Sequence, residues 1–226
     1  MHSAELKRNL MISGIGSSNG GSFRTVKIDG LGRLEGDVIC SHFTLNGRGE
    51  VNGSIQSETA EMNGTLTIQG DLKAKRTRIH GRVKVEGNYF GENIEIHGAS
   101  TITGSCEAEK FHANGKLHVG TLNADTIQVT LHGHCKISEI GGERIQIRKQ
   151  PGISFASLLK ILPAAIGNHL TCQTIEGDHI YLEYTTADVV RGANITIGPG
   201  CEIGLIEYTV KLEQDKKSKV KISEKV

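Results

Sequence analysis

The chain has 226 residues and carries 26 Lys and Arg against 25 Asp and Glu, a formal net charge of +1. That balance excludes the basic surplus of a nucleic-acid binder and the acidic surplus of a solvating tail. It holds 29 glycines, only 3 prolines and no tryptophan; without a G-X-Y period this excludes collagen and argues against a linker. No apolar run approaches the ~20 residues that span a bilayer, and the opening MHSAELKRNLMISGIG lacks the apolar stretch of a secretory signal. The five cysteines are never spaced C-x-x-C, so the expectation is a cytoplasmic protein with reduced thiols.

Residues 1–22 read as a flexible, glycine- and serine-rich lead. From Phe23 an internal repeat takes over. Gly30, Gly47, Gly64, Gly81, Gly98 and Gly115 recur every 17 residues, and Gly36, Gly53, Gly70, Gly87 and Gly104 keep the same period six residues later. Nine glycines on that schedule have a chance probability on the order of 10⁻⁸, before the choice of period and phase is allowed for. With the first glycine as offset 0, offset 4 reads Leu34, Val51, Ile68, Val85, Ile102 and Val119, and offset 8 reads Val38, Ile55, Leu72, Tyr89 and Cys106. Offset 13 reads Phe43, Ala60, Thr77, Ile94 and Phe111, and offset 15 reads Leu45, Met62, Ile79, Ile96 and Ala113. Offsets 2 and 10 are small or apolar.

The pattern predicts three short strands per repeat, each with one buried face. The glycine columns make two corners and a polar stretch near offsets 11 and 12 makes the third. One repeat is therefore one turn of a three-faced coil, and successive turns stack as parallel strands about 4.8 Å apart. The predicted fold is an all-β, single-stranded parallel β-helix, with right-handedness favoured by the general preference of parallel crossovers.

This core is expected over residues 23–149, with a slip in register at Val119. Residues 150–169 form a hydrophobic insert. Within it Phe155, Leu158, Leu159 and Leu162 have helical spacing, which Pro163 limits. Coils resume over 170–212, and the lysine-rich residues 213–226 read as a charged, disordered tail.

With these residues in hand, the sequence resembles the bactofilins, bacterial polymer-forming cytoskeletal proteins. The features that carry the resemblance are the 17-residue coil with two glycine columns, the opening VKIDGLGRLEGDV (Val26 to Val38) and the apolar ladder at offset 4. The resemblance covers about residues 23–149. It implies a right-handed β-helix that assembles into filaments without polarity and without nucleotide, serving cell shape, envelope organisation or motility. It implies no cofactor. This chain departs from the family pattern by adding the insert and the later coils.

Enzyme and metal readings are weaker. ITIGPGCEIG (Ile195 to Gly204) looks like a left-handed β-helix acyltransferase, but that family's six-residue rhythm lasts only about two units here. His80 and His97 share offset 16 and suggest a two-ligand site; an Asn/His corner ladder is the plainer reading, because no third or fourth ligand is evident. The cysteines fall mostly on inward offsets, as small hydrophobes. Carboxylates such as Glu35, Asp37, Glu50 and Glu58 scatter outward, with no column concentrating them. No catalytic, cofactor-binding or metal-binding residue is therefore assigned.

A stacked coil leaves unpaired backbone groups at each end, a template for strand addition. The expected partner is a second copy of the chain, or a paralogue, meeting end to end. Val26, Ile28 and Leu34 are the candidates at one end and Ile203, Ile206 and Tyr208 at the other. The insert residues Phe155, Leu158, Leu159 and Leu162 are candidates for peripheral contact at the inner face of the cell membrane, against the plainer reading of a helix packed on the coil. The basic group Lys73, Lys75, Arg76 and Arg78 invites an anionic lipid or partner, although a charged corner is usually only solvated. A monomeric binding scaffold is the competing function.

Overall fold

The computed structural model describes residues 8–150 and 167–226. All of its strands pair parallel, in chain order, into one β-solenoid of about 10 turns. β1 (Asn9–Asn52), β2 (Ile55–Ile68), β3 (Leu72–Val85), β4 (Tyr89–Phe90) and β5 (Asn93–Leu131) follow the 17-residue step, as in Val38↔Ile55 and Ile55↔Leu72. The apolar alternation read from the sequence is the interior. Leu34, Val51, Ile68 and Val85 are at most 1% exposed, and Leu45, Met62, Ile79 and Ile96 make a second buried ladder beside them. Each such side chain contributes roughly 1.5–3 kcal/mol when buried, and its neighbours above and below are of the same type.

The corners explain the glycines. Gly30, Gly47, Gly64, Gly81 and Gly98 all have φ between +126° and +138°, a region that L side chains rarely adopt. A Cβ on Gly47 would fall on the carbonyl of Gly30 one coil away, and the same overlap recurs up the column. Close stacking of coils and a side chain at this corner are incompatible.

After β5 the step changes. Leu122 pairs with Ile140 in β6 (His134–Lys149), a step of 18, and Ile140 pairs with Ile175 in β7 (His169–Leu182), a step of 35. The excess is the segment that leaves after Lys149 and returns at His169. The next coil is tighter, with Leu170 pairing to Thr185 in β8 (Thr185–Ile197). β9 (Glu202–Gln214) follows with a bulge at Gly192/Asn194, and β10 (Lys219–Lys225) closes the stack.

Two expectations are corrected. Residues 9–22 are not a flexible lead: they are the first coil, within β1. Gly14 and Gly20 precede Gly30 and Gly36 by 16 residues, one short of the main period, which hides this coil from a fixed 17-residue reading. Residues 213–226 are not a disordered tail, because β10 pairs residue for residue with β9. Its lysines are the outward face of a strand, while Val220 packs against the core. The turn into it is held by Asp215, which accepts hydrogen bonds from the Lys217 N–H (2.7 Å) and, through its carbonyl, from the Ser218 N–H (3.1 Å). Among the described residues there is no helix; the helical expectation for the insert, with Phe155, Leu158, Leu159 and Leu162, lies outside them.

Candidate assembly surfaces

The six residues expected at the ends fall into two groups at opposite ends of the solenoid, each one coil inside the described terminus. Val26, Ile28 and Leu34 are at most 1% exposed, because the first coil covers them: the Arg24 N–H donates to the Arg8 carbonyl (2.8 Å), and Gly30 stacks on Gly14. Ile203 and Ile206 are buried and Tyr208 partly so. They lie under β10 through Val220↔Ile203, Ser223↔Ile206 and Lys225↔Tyr208. The terminal inward side chains are instead Leu10 and Ile12 at one end and Val220 at the other. Arg8 lies 4.9 Å over the Phe23 ring and braces the first coil.

Exposed apolar side chains gather at these ends. Met11 and Ile15 are 66% and 85% exposed in the first coil, and Val210 and Ile222 are 60% and 54% exposed in the last two. The long middle of the solenoid contributes none of the large hydrophobic residues that are exposed among the described residues.

A polar ladder braces the second glycine corner. The Ser54 N–H donates to Asp37 Oδ1 (2.8 Å), the Asp71 N–H to Ser54 Oγ (3.1 Å), the Asn88 N–H to Asp71 Oδ1 (2.7 Å) and the Ser105 N–H to Asn88 Oδ1 (2.9 Å). Each side chain satisfies a backbone donor of the next coil, where the corner breaks the strand ladder. The signal was present in the sequence: every glycine of this column is followed by Asp, Ser or Asn. A second ladder starts at Asp29, whose carboxylate accepts from Asn46 (2.7 Å), while Asn46 in turn accepts from Asn63 (3.0 Å). The Asn46 hydrogen bond and then Lys27 hold the Asp29 carboxyl below its ordinary range.

That column continues into His80 and His97, whose rings stack with centroids 5.0 Å apart. His97 is engaged by Glu95 (2.7 Å), and Arg78 binds the other oxygen of that carboxylate (3.2 Å). Among the described residues no three His, Cys, Asp or Glu side chains converge as a metal site. All five cysteines are buried. Burial pushes the Cys40 and Cys172 thiols up to about 12 and Cys201 to about 11, which opposes nucleophilic use. The Ile195–Gly204 stretch forms the end of β8, a turn at Pro199–Gly200 and the start of β9, with Gly200 against the Tyr184 ring. Its coils step by 15 to 17 residues, not by the 18 that three six-residue units require.

The expectation that no column concentrates carboxylates is also corrected. Pairing across the changed steps puts Glu92, Glu109, Asp125, Glu143 and Asp178 on successive coils at the third corner, all exposed. A fixed 17-residue count loses this alignment beyond Val119.

Comparison with known proteins agrees with this architecture. The bactofilin family, described as polymer-forming cytoskeletal, matches residues 6–107. The uncharacterized protein YhbE of Bacillus subtilis (strain 168) is 46% identical over 241 residues, spanning 98% of this chain and 100% of that protein. The uncharacterized protein YhbF of the same organism is 43% identical over 103 residues, 45% of this chain and 40% of that protein. No solved structure matches the chain.

Proposed function

The chain belongs to the bactofilin family of polymer-forming cytoskeletal proteins, and from that premise we propose that it self-assembles end to end into filaments that need no nucleotide. The observation that supports this reading is the pair of apolar, open-edged terminal coils. Among the described residues no strand pairs with the outer edge of β10 or of the first coil of β1. An incoming coil would continue the backbone ladder and cover Leu10 and Ile12 at one end or Val220 and Ile222 at the other. Stacking of coils needs no energy source beyond burial and hydrogen bonding. The filament would act as a cytoplasmic scaffold for cell-shape, envelope or motility machinery, with the segment around Phe155, Leu158, Leu159 and Leu162 as its contact at the inner membrane face. A paralogue with the same repeat could enter the same stack.

The reading is tested with charges placed at the ends and, as a control, one coil inside. Leu10→Glu and Val220→Glu should lower the sedimenting polymer at least tenfold while the far-ultraviolet spectrum stays β-rich. Val26→Glu, by contrast, buries a carboxylate in the core and should reduce folding itself. Polymer that survives both terminal substitutions in a folded protein refutes the assignment.

A further inference from the structure

Over the coils between residues 98 and 182 charge is sorted by side. The carboxylates Glu109, Asp125, Glu143 and Asp178 line the third corner, and Glu107, Glu139 and Glu176 lie on the face that leads to it from the second glycine corner. No described Lys or Arg of this stretch stands among them. Its described cations are all on the remaining sides. Lys110 and Arg144 follow the third corner, Arg148 and Lys149 stand at the first glycine corner, and Lys116 and Lys136 lie on the face between the two glycine corners. His118, His134 and His169 share that last face. Among the described residues none of these six cations forms an ion pair. Aromatic rings steady two of them: Arg148 lies 4.8 Å over Tyr181, and Lys149 Nζ lies 4.2 Å over Tyr184. Glu183, which borders this corner on the next coil, is engaged by the Tyr181 hydroxyl (2.6 Å) and the Lys149 N–H (3.0 Å). Outside residues 98–182 the sides mix, as in the pairs Lys84–Glu86 and Lys219–Glu202.

We propose that the first glycine corner and the face beyond it, with Lys116, Lys136, Arg148 and Lys149, dock on the anionic headgroups of a bilayer while the carboxylate side is turned away. The inference rests on the membrane contact proposed above and deepens it, because it assigns that contact a charged surface on the solenoid and a class of lipid. Two observations select this occupant. The first is charge complementarity: cations gathered on one side and carboxylates across the coil give a polarity that orients the solenoid on a negative surface. The second is where the chain leaves the described coils. It departs after Lys149 and returns at His169, within the basic side, and the sequence between is apolar with Lys160 as its one charge. Cations flanking an apolar sequence suit the boundary between headgroups and acyl chains. A nucleic acid, or the carboxylate side of a second copy, would answer the charge and leave the apolar sequence unused.

The experiment is flotation of the full chain with vesicles of phosphatidylcholine alone and of phosphatidylcholine mixed with phosphatidylglycerol. The variants are Lys116→Glu/Lys136→Glu on the basic side and Lys73→Glu/Lys75→Glu, which makes the same change of net charge on the carboxylate side. All four positions are exposed, and circular dichroism confirms folding. Wild type should bind the anionic vesicles at least tenfold better than the neutral ones. That binding should fall at least fivefold between 50 and 500 mM NaCl, where screening shortens the reach of charge. Lys116→Glu/Lys136→Glu should lose at least tenfold on anionic vesicles and match wild type on neutral ones, while Lys73→Glu/Lys75→Glu stays within twofold of wild type. Equal losses in the two variants, or none in the first, overturn the proposal. So does displacement from the vesicles by a duplex oligonucleotide at equal phosphate, or salt-sensitive bundling of filaments with no vesicle binding, which assigns the basic side to a second copy. A third variant, Phe155→Ser/Leu158→Ser, scores the apolar contact separately: charge-dependent binding that survives it counts against that contact alone. Equal binding to both vesicles that this variant abolishes keeps the apolar contact and overturns the charged one.

Discussion

The glycine corner allows a quantitative comparison within one chain. Gly36 and Gly64 both have positive φ, +93° and +138°. An alanine at Gly36 would meet nothing within 4 Å, whereas at Gly64 its Cβ would fall on the carbonyl of Gly47. The left-handed conformation costs an alanine about 1–2 kcal/mol at either site. Loss of unfolded-chain freedom returns about 0.4–1 kcal/mol, leaving Gly36→Ala destabilised by about 1 kcal/mol. Gly64→Ala must in addition push two coils apart, an overpacking term of typically 1–3 kcal/mol, for a total of about 2–4 kcal/mol. At roughly 2–4 °C per kcal/mol for a chain of this size, the midpoint should fall by about 2–4 °C for Gly36→Ala and by about 4–16 °C for Gly64→Ala. Thermal unfolding followed by far-ultraviolet circular dichroism reads both. Equal losses, or a larger loss at Gly36, would refute the claim that close coil approach, beyond backbone conformation, sets this column.

Three further outcomes are expected. Asp71→Ala removes the acceptor for the Asn88 N–H and should cost about 1.5–3 kcal/mol in urea unfolding, as for a hydrogen bond to a charged group, while Asp71→Asn should recover most of it. The five thiols should resist a disulfide reagent at pH 8 in the folded protein and all react in guanidinium; rapid reaction of any in the native state would contradict their burial. His118 and His169 are both held below the ordinary imidazole value, chiefly by burial and also by neighbouring cations or His134. The unfolded chain therefore takes up protons first, and stability should be full above about pH 6.5 and decline as pH falls below it. Replacing both with Asn should flatten the thermal midpoint between pH 7 and pH 5.

The repeat was legible because the interior admits one kind of residue per ladder. From Leu34 to Val119 the offset-4 column shows the coil length and the buried face together, and the glycines show the corners. Three parts of the solenoid were hidden for separate reasons. The first coil is one residue short at Gly14–Gly30, so a fixed period passes over it. β10 alternates Val220 with lysines over too few residues to stand out from a charged tail. The carboxylate ridge becomes visible only when Asp125, Glu143 and Asp178 are aligned across steps of 18 and 35. The candidate ends were misplaced by one coil as a result: Val26 and Ile206 have the chemistry of an end rung, but each has another rung above it.

The central claim is tested most directly by negative-stain electron microscopy of the purified chain, without nucleotide, across a concentration series, with image averaging along any filament. End-to-end stacking predicts thin filaments above a threshold concentration. The subunit repeat along their axis should be about 50–58 Å, from about ten to twelve coils at ~4.8 Å each. Discrete particles of one or a few subunits at every concentration would contradict it.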